Sequence, residues 1–240
     1  MDISKIIKAV ERRTGRMSCG AVIVAAGTAS RMGGIDKVMA PLGGVPMIQR
    51  TVRTFQESDV IREIVIVTRQ DLVTPIMELC RSFDKVTAVT VGGDGRQDSV
   101  EIGLSALSKN IRLAAIQDGA RPLITQQVIA RTVKAANACG AAAPAIPVKD
   151  TVKVVRDGVV TETPDRSTLR AVQTPQAFDV DLLKAALYKA REEGAAVTDD
   201  CSAVERLGMP VKIVEGDERN IKVTTPLDLK IAELLLEDAT

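Results

Sequence analysis

Five charged side chains stand where apolar runs give out. Arg31 and Lys37 follow AVIVAAG, Asp118 and Arg121 lie in IQDGARP, and Lys222 lies in NIKVTT. Arginine offers a planar fork and lysine a mobile point charge, and both suit phosphate oxygens. A carboxylate at the end of a buried strand is a common contact for Mg2+ that a nucleotide's phosphates also hold. In the first loop, Ala25, Ala26 and Gly27 leave room for a ligand to approach backbone N–H groups. The glycine-rich stretch VGGDGRQDSV at 91–100 adds Gly93, Asp94 and Ser99, although Asp98 or Ser99 there equally suits a helix cap. The first turn lacks the Gly-Lys-Ser/Thr ending of a P-loop and the G-x-G-x-x-G of a dinucleotide fold. The chain has no histidine, which excludes Ser-His-Asp and Cys-His hydrolysis and HExxH metallopeptidases. What remains is chemistry on groups that already carry charge, above all phosphates.

Composition narrows the class further. The 240 residues, 45% apolar and 26% charged, suit one large globular domain. A net charge of +1 gives no field that would gather nucleic acid or an anionic membrane. Phe55, Phe83, Phe178 and Tyr188 are the only aromatics, which argues against a stacking platform for single strands. Cys19, Cys80, Cys139 and Cys201 are far apart and form no CxxC, so neither zinc nor a redox motif is expected. They read as reduced, mostly buried thiols of a cytoplasmic protein. No apolar run approaches the roughly 20 residues of a membrane-spanning helix.

The elements that must position the charges alternate. Strands are expected at 20–26, 63–68, 85–91, 113–117 and 141–148, with helices at 46–55, 71–82, 97–107 and 124–138 between them. Such alternation predicts an α/β fold with a mostly parallel sheet covered on both faces, and ligands beyond the carboxyl ends of its strands. The rhythm breaks at 149–172, where TVKVV and VVTET flank Asp157-Gly158, a hairpin signal. It resumes with helices at 180–192 and 199–207, the second capped by Thr198, and a strand at 211–216. Thr225-Pro226 starts a last helix whose expected buried stripe is Leu227, Ile231, Leu234 and Leu235. Residues 1–18 read as a short extension helix, with Ile3, Ile6, Ile7 and Val10 on one face and Gly15 as its stop. The domain proper is 19–240.

Taken together, the motifs resemble the 2-C-methyl-D-erythritol 4-phosphate cytidylyltransferases. AAGTASRM followed by Lys37, GGDGRQDSV, DGARP, PVKDTVK, Asp165-Arg166, TPQAF, TDDCSAVE and NIKVT appear in the family's order over nearly the whole chain. The resemblance implies a Rossmann-like domain with a protruding β-arm, here about 149–170, in a homodimer whose arms cross. It implies a CTP site of Ala25, Ala26, Gly27, Arg31, Lys37, Gly93, Asp94, Ser99 and Gly119. A sugar-alcohol phosphate would be held by Asp118, Arg121, Thr151, Arg166, Thr174 and Lys222, with Thr151 and Arg166 reaching over from the partner. The catalytic set would be Arg31, Lys37, Arg166 and Lys222, and Asp118 would contact Mg2+. This chain departs from the family's usual pattern at Val38-Met39, at Gln117, and at Thr28-Ala29-Ser30. Ribitol-phosphate cytidylyltransferases share the DxxRP, TPQ and NIK-T elements, but PVKDTVK and GRQDSV stand closer to the methylerythritol enzymes. A catalytically idle nucleotide-binding regulator on the same fold is the reading from another class.

Overall fold

The computed structural model describes residues 3–12, 17–27 and 36–238. The chain runs α1 (Ile3–Arg12), β1 (Cys19–Ala25), β2 (Pro41–Leu42), β3 (Val45–Pro46), α2 (Met47–Gln56), β4 (Ile61–Thr68), α3 (Val73–Leu79), β5 (Val86–Val91), α4 (Arg96–Ala106) and β6 (Leu113–Asp118). It continues through α5 (Gln126–Cys139), β7 (Ala141–Pro147), β8 (Val154–Arg156), β9 (Val159–Glu162), β10 (Arg170–Val172), β11 (Gln176–Asp179), α6 (Val180–Glu192), α7 (Asp200–Arg206), β12 (Lys212–Glu215) and α8 (Pro226–Glu237). The main sheet has eight strands in the order β10-β7-β11-β6-β1-β4-β5, with β12 also paired to β7. The strands β1, β4, β5, β6, β7 and β12 run one way, while β10 and β11 run antiparallel to their neighbours.

Period-two alternation sorts the strand side chains into two cores. Ile23 and Ile66 join Ile48, Phe55 and Ile129 under α2, α3 and α5. Val22 and Val67 point the other way and join Leu104, Phe178, Leu182 and Val204 under α4, α6 and α7. Phe178 is fully buried, and Phe178→Ala is expected to lower the unfolding free energy by about 3–5 kcal/mol, read by urea denaturation. The helix α1 lies on the second face, where Val10, Ile6 and Ile7 join that core. Gly140 makes room for it: a Cβ there would stand 2.6 Å from Val10 Cγ1, and Gly140 also ends α5 at a φ of +88°. Gly15, the expected stop of α1, lies outside the described residues.

Three local expectations need correction, and one strand was not foreseen. The region 71–82 is a 3-10 turn, Gln70–Leu72, followed by a helix that ends at Leu79. The cap of α7 is Asp199, whose carboxylate accepts the Ser202 N–H at 2.9 Å, so Thr198 is one residue early. The strand β11 has only four residues, too few to register as a period, yet it inserts antiparallel between β6 and β7. The third correction concerns α8, which turns its other apolar stripe inward. Ala232 is fully buried, with Leu229 and Leu236 packed beside Leu42, Met47 and Val223. Leu227 and Leu234 are 65% and 64% exposed, Ile231 is exposed, and Leu235 is only partly covered. The small side chain of Ala232 lets the helix approach the β2–β3 hairpin closely.

The start of α8 is fixed by charge. Asp228 accepts from the Thr224 N–H, the Thr224 hydroxyl and the Thr225 N–H, each at 2.8 Å. Partial burial works to raise its pKa, but these donors outweigh it and the pKa is lowered. The cap's contribution is therefore complete above about pH 4 and is lost as pH falls through the lower folded value. Asp228→Ala is expected to flatten that acid limb of a urea-unfolding series.

Candidate active site

The strand β1 sits between β4 and β6. From β1 the chain builds β4 and β5 to one side, then crosses to lay β6 on the other. That reversal opens a crevice at the carboxyl ends of β1 and β6. A cavity of about 280 Å³ lies there. Ala25, Ala26, Gly27, Lys37, Gly93, Asp94, Ser99, Asp118 and Lys222 all line it, joined by Val24, Val38, Gly95, Arg96 and Ala120. Arg31 lies outside the described residues.

Backbone geometry brings the two glycine-bearing loops together. A Cβ on Gly92 would stand 2.6 Å from Ser99 Oγ and 2.7 Å from Ala26 Cβ, so the turn after β5 closes onto the loop after β1 only with glycine there. Ser99 is buried, and its hydroxyl donates to the Gly95 carbonyl at 3.0 Å. The cap of α4 is Gly95 rather than Asp98 or Ser99, although the Asp98 carboxylate reaches back to the Gly95 N–H at 3.0 Å. Lys37 is set from both sides. Asp36 pairs with Arg69 at 2.5 Å and accepts the Val38 N–H at 3.0 Å. Val38 is buried in the first core, and its carbonyl accepts the Ile48 N–H at 2.8 Å. An apolar residue after the lysine therefore anchors the loop to α2.

Asp118 is the electrostatic centre. Its Oδ2 lies 2.8 Å from Lys222 Nζ and 3.6 Å from Arg121 Nε, and its Oδ1 lies 3.7 Å from Arg96 Nε. Burial works to raise its pKa, but Lys222, then Arg96 and Arg121, outweigh this and hold the carboxyl below its ordinary range. It is ionised at neutral pH. Behind it, Thr174 Oγ1 accepts the Asp118 N–H at 3.1 Å, and Arg121 donates to the Asn220 carbonyl at 2.7 Å. Asn220 in turn donates to the Thr174 carbonyl at 2.9 Å, which ties the loop carrying Lys222 to the strand end. Gly119 packs where a Cβ would meet Ile48 Cδ1 at 3.0 Å and Ala25 Cβ at 3.1 Å. Gly119, Arg121 and Thr174 thus stand behind the cavity wall and do not line it.

The residues expected on the arm lie elsewhere in this chain. The strands β8 and β9 form their own two-stranded sheet, apart from the main one. Asp157 and Gly158 make the turn at φ values of +49° and +79°. Thr151 is exposed, and Arg166 donates to the Lys149 carbonyl at 2.6 Å beside Asp165 and Arg170. Neither lines the cavity of its own chain.

The family model for 2-C-methyl-D-erythritol 4-phosphate cytidylyltransferase matches residues 19–238. The chain belongs to that cytidylyltransferase family. The curated cytidylyltransferase of this name from Caldanaerobacter subterraneus subsp. tengcongensis is 44% identical over 229 residues, covering 92% of this chain and 99% of its own. That of Symbiobacterium thermophilum is 46% identical, covering 90% and 92%. The crystal structure of 4-diphosphocytidyl-2C-methyl-D-erythritol synthase from Anaerococcus prevotii superposes with a TM-score of 0.83 at 33% identity, covering 91% of this chain and 96% of that one. The helix α1 precedes the part that the cytidylyltransferase model matches.

Sequence reasoning missed an ion pair of this cytidylyltransferase that runs from the cavity wall into the interior. Arg96 is the first residue of α4, and its Nη2 lies 2.7 Å from Oδ2 of the buried Asp200, the first residue of α7. Both lie inside quoted motifs, GGDGRQDSV and TDDCSAVE, and only the tertiary fold brings them together. The donors also bear on a metal. Among the described residues no group of three or more His, Cys, Asp or Glu side chains gathers, so no all-protein metal cage exists. Two carboxylates, Asp94 and Asp118, line the cavity, and so sparse a set of oxygen donors fits a Mg2+ held mainly by phosphates better than one caged by protein.

Proposed function

We infer that this protein transfers CMP from CTP to 2-C-methyl-D-erythritol 4-phosphate, giving 4-diphosphocytidyl-2-C-methyl-D-erythritol and pyrophosphate. The observation that carries this reading is the convergence of Lys37, Lys222 and the Asp118 cluster on one cavity at the switch point, in a chain without histidine. A phosphate oxygen of the sugar phosphate attacks the α-phosphorus of CTP. The new P–O bond forms as the bond to the β-phosphate bridge breaks, and pyrophosphate departs with that electron pair. A phosphomonoester has a second pKa of about 6, so the nucleophile is ionised at neutral pH and needs no general base. Catalysis then rests on positioning and on charge.

Lys37 and Arg31 neutralise the α-phosphate and the departing pyrophosphate. The turns at Ala25–Gly27 and Gly93–Ser99 receive the nucleotide, and Gly119 keeps the floor close-packed. Lys222, supported by Arg121 and Thr174, receives the attacking phosphate. Mg2+, in contact with Asp118, would neutralise triphosphate charge when bound. The arm completes the site: Thr151 and Arg166 come from the partner of a homodimer. Val155, Val159 and Val160 are more than half exposed on that hairpin, which supports burial against a second copy. The free cysteines, three of them buried, suit a cytoplasmic protein. No described helix is long and apolar enough to cross a membrane.

The test supplies CTP with methylerythritol phosphate or with ribitol phosphate and measures pyrophosphate release. Faster turnover with methylerythritol phosphate is expected. Preference for ribitol phosphate would reassign the substrate, and CTP binding without release for either would favour a regulator.

A further inference from the structure

A chain of alternating charge crosses the cavity wall from Asp200 through Arg96 and Asp118 to Lys222. Asp200 is fully buried. Its N–H and that of Cys201 both donate to Gln176 Oε1 at 3.1 Å, and Gln176 Nε2 donates to Asp199 Oδ2 at 2.8 Å. The first turn of α7 is thereby locked to β11. Arg96 turns Nη2 to Asp200 at 2.7 Å and leaves Nε 3.7 Å from Asp118 Oδ1. A planar guanidinium presents separate edges to two carboxylates in a fixed fork, a geometry that a compact ammonium reproduces only in part. Arg121, the other guanidinium beside Asp118, is committed through Nη1 to the Asn220 carbonyl.

We propose that Arg96, anchored from behind by Asp200, is a positioning residue that keeps Asp118 paired so that Lys222 can leave it for an incoming phosphate. A buried carboxylate that loses its only close partner is strongly destabilised. Without Arg96, Asp118 would keep beside Lys222 only Arg121, 3.6 Å away and committed to the Asn220 carbonyl, and the ammonium would be held more tightly on the carboxylate and withheld from substrate. Arg96 shares that charge and lowers the cost of release. This deepens the reading of Lys222 as the group that receives the sugar phosphate, and rests on it. It also gives GGDGRQDSV and TDDCSAVE a joint role: each contributes one end of the Arg96–Asp200 tie.

The test is a double-mutant cycle between Arg96 and Asp118. Arg96→Gln alone leaves Asp200 unpaired, so the working variant combines Arg96→Gln with Asp200→Asn and removes both charges. Calorimetry reads methylerythritol phosphate binding in the presence of a CTP analogue with a methylene bridge between its α- and β-phosphorus. In the otherwise native chain this variant is expected to weaken binding by about tenfold. With Asp118→Asn also present, Lys222 is already free, and the same change is expected to cost no more than about twofold. Arg96→Lys is expected to recover part of the loss. Equal loss in both backgrounds, which a purely structural role would give, or no loss in either, overturns the proposal. A native chain that binds the sugar phosphate but releases no pyrophosphate refutes the catalytic reading, while the cycle still decides the role of Arg96. Should the native chain bind no sugar phosphate, thermal unfolding of the ligand-free variants decides. Non-additive shifts, with the combined variant less destabilised than the sum, support the tie, and additive shifts overturn it.

Discussion

Lys222→Ala and Lys37→Ala are each expected to fold and to lose turnover by at least about a hundredfold. Neither lysine belongs to the two cores that hold the sheet. The Lys222 side chain is 41% exposed, so its removal opens no cavity, and Asp118 keeps Arg96 and Arg121 beside it. The backbone around Lys37 is held by Asp36 and Val38, whose contacts an alanine at 37 leaves in place. What is lost is charge where negative charge gathers. Losing one well-placed donor in such a site typically costs roughly 3–4 kcal/mol of barrier. Pyrophosphate release, with thermal unfolding as the control for folding, checks both variants. Turnover near the native rate in both would remove them from the chemistry.

Arg166→Ala is expected to be as damaging, and its rescue identifies which chain supplies the arginine. Arg166 does not line the cavity of its own chain, so in the proposed dimer each site takes it from the other subunit. Mixing inactive Arg166→Ala and Lys222→Ala chains under conditions that exchange subunits gives random pairs. Half are mixed, and each mixed pair holds one intact site. Activity is therefore expected to return to about a quarter of native. Two inactive variants that stay inactive after proven exchange would place Arg166 in its own subunit's site or outside the chemistry.

The α/β alternation was legible because strands such as AVIVA and EIVIV are buried on both faces and read as continuous apolar runs. The β8–β9 hairpin was legible for a local reason, the left-handed Asp157-Gly158 turn. Asp118 and Lys222 could be picked out as charges at strand ends. What escaped was tertiary. Four residues of β11 carry no period, and only the packed molecule shows that Gln176 clasps the start of α7. The sequence of α8 carries two apolar stripes, and the choice between them depends on the β2–β3 hairpin beneath it. Arg96 reads as an ordinary first-turn arginine until Asp200, more than a hundred positions away, is brought to 2.7 Å. Val38, unusual after the lysine, is explained once its place in the core is seen.

The central claim is that the sugar phosphate itself attacks the α-phosphorus of CTP. It is tested most directly by labelling the phosphate oxygens of methylerythritol phosphate with heavy oxygen and following the label by mass spectrometry and phosphorus NMR. The expected product carries a labelled oxygen in its diphosphate bridge, and the pyrophosphate carries none. Label in the released pyrophosphate, or a bridge without label, would contradict it.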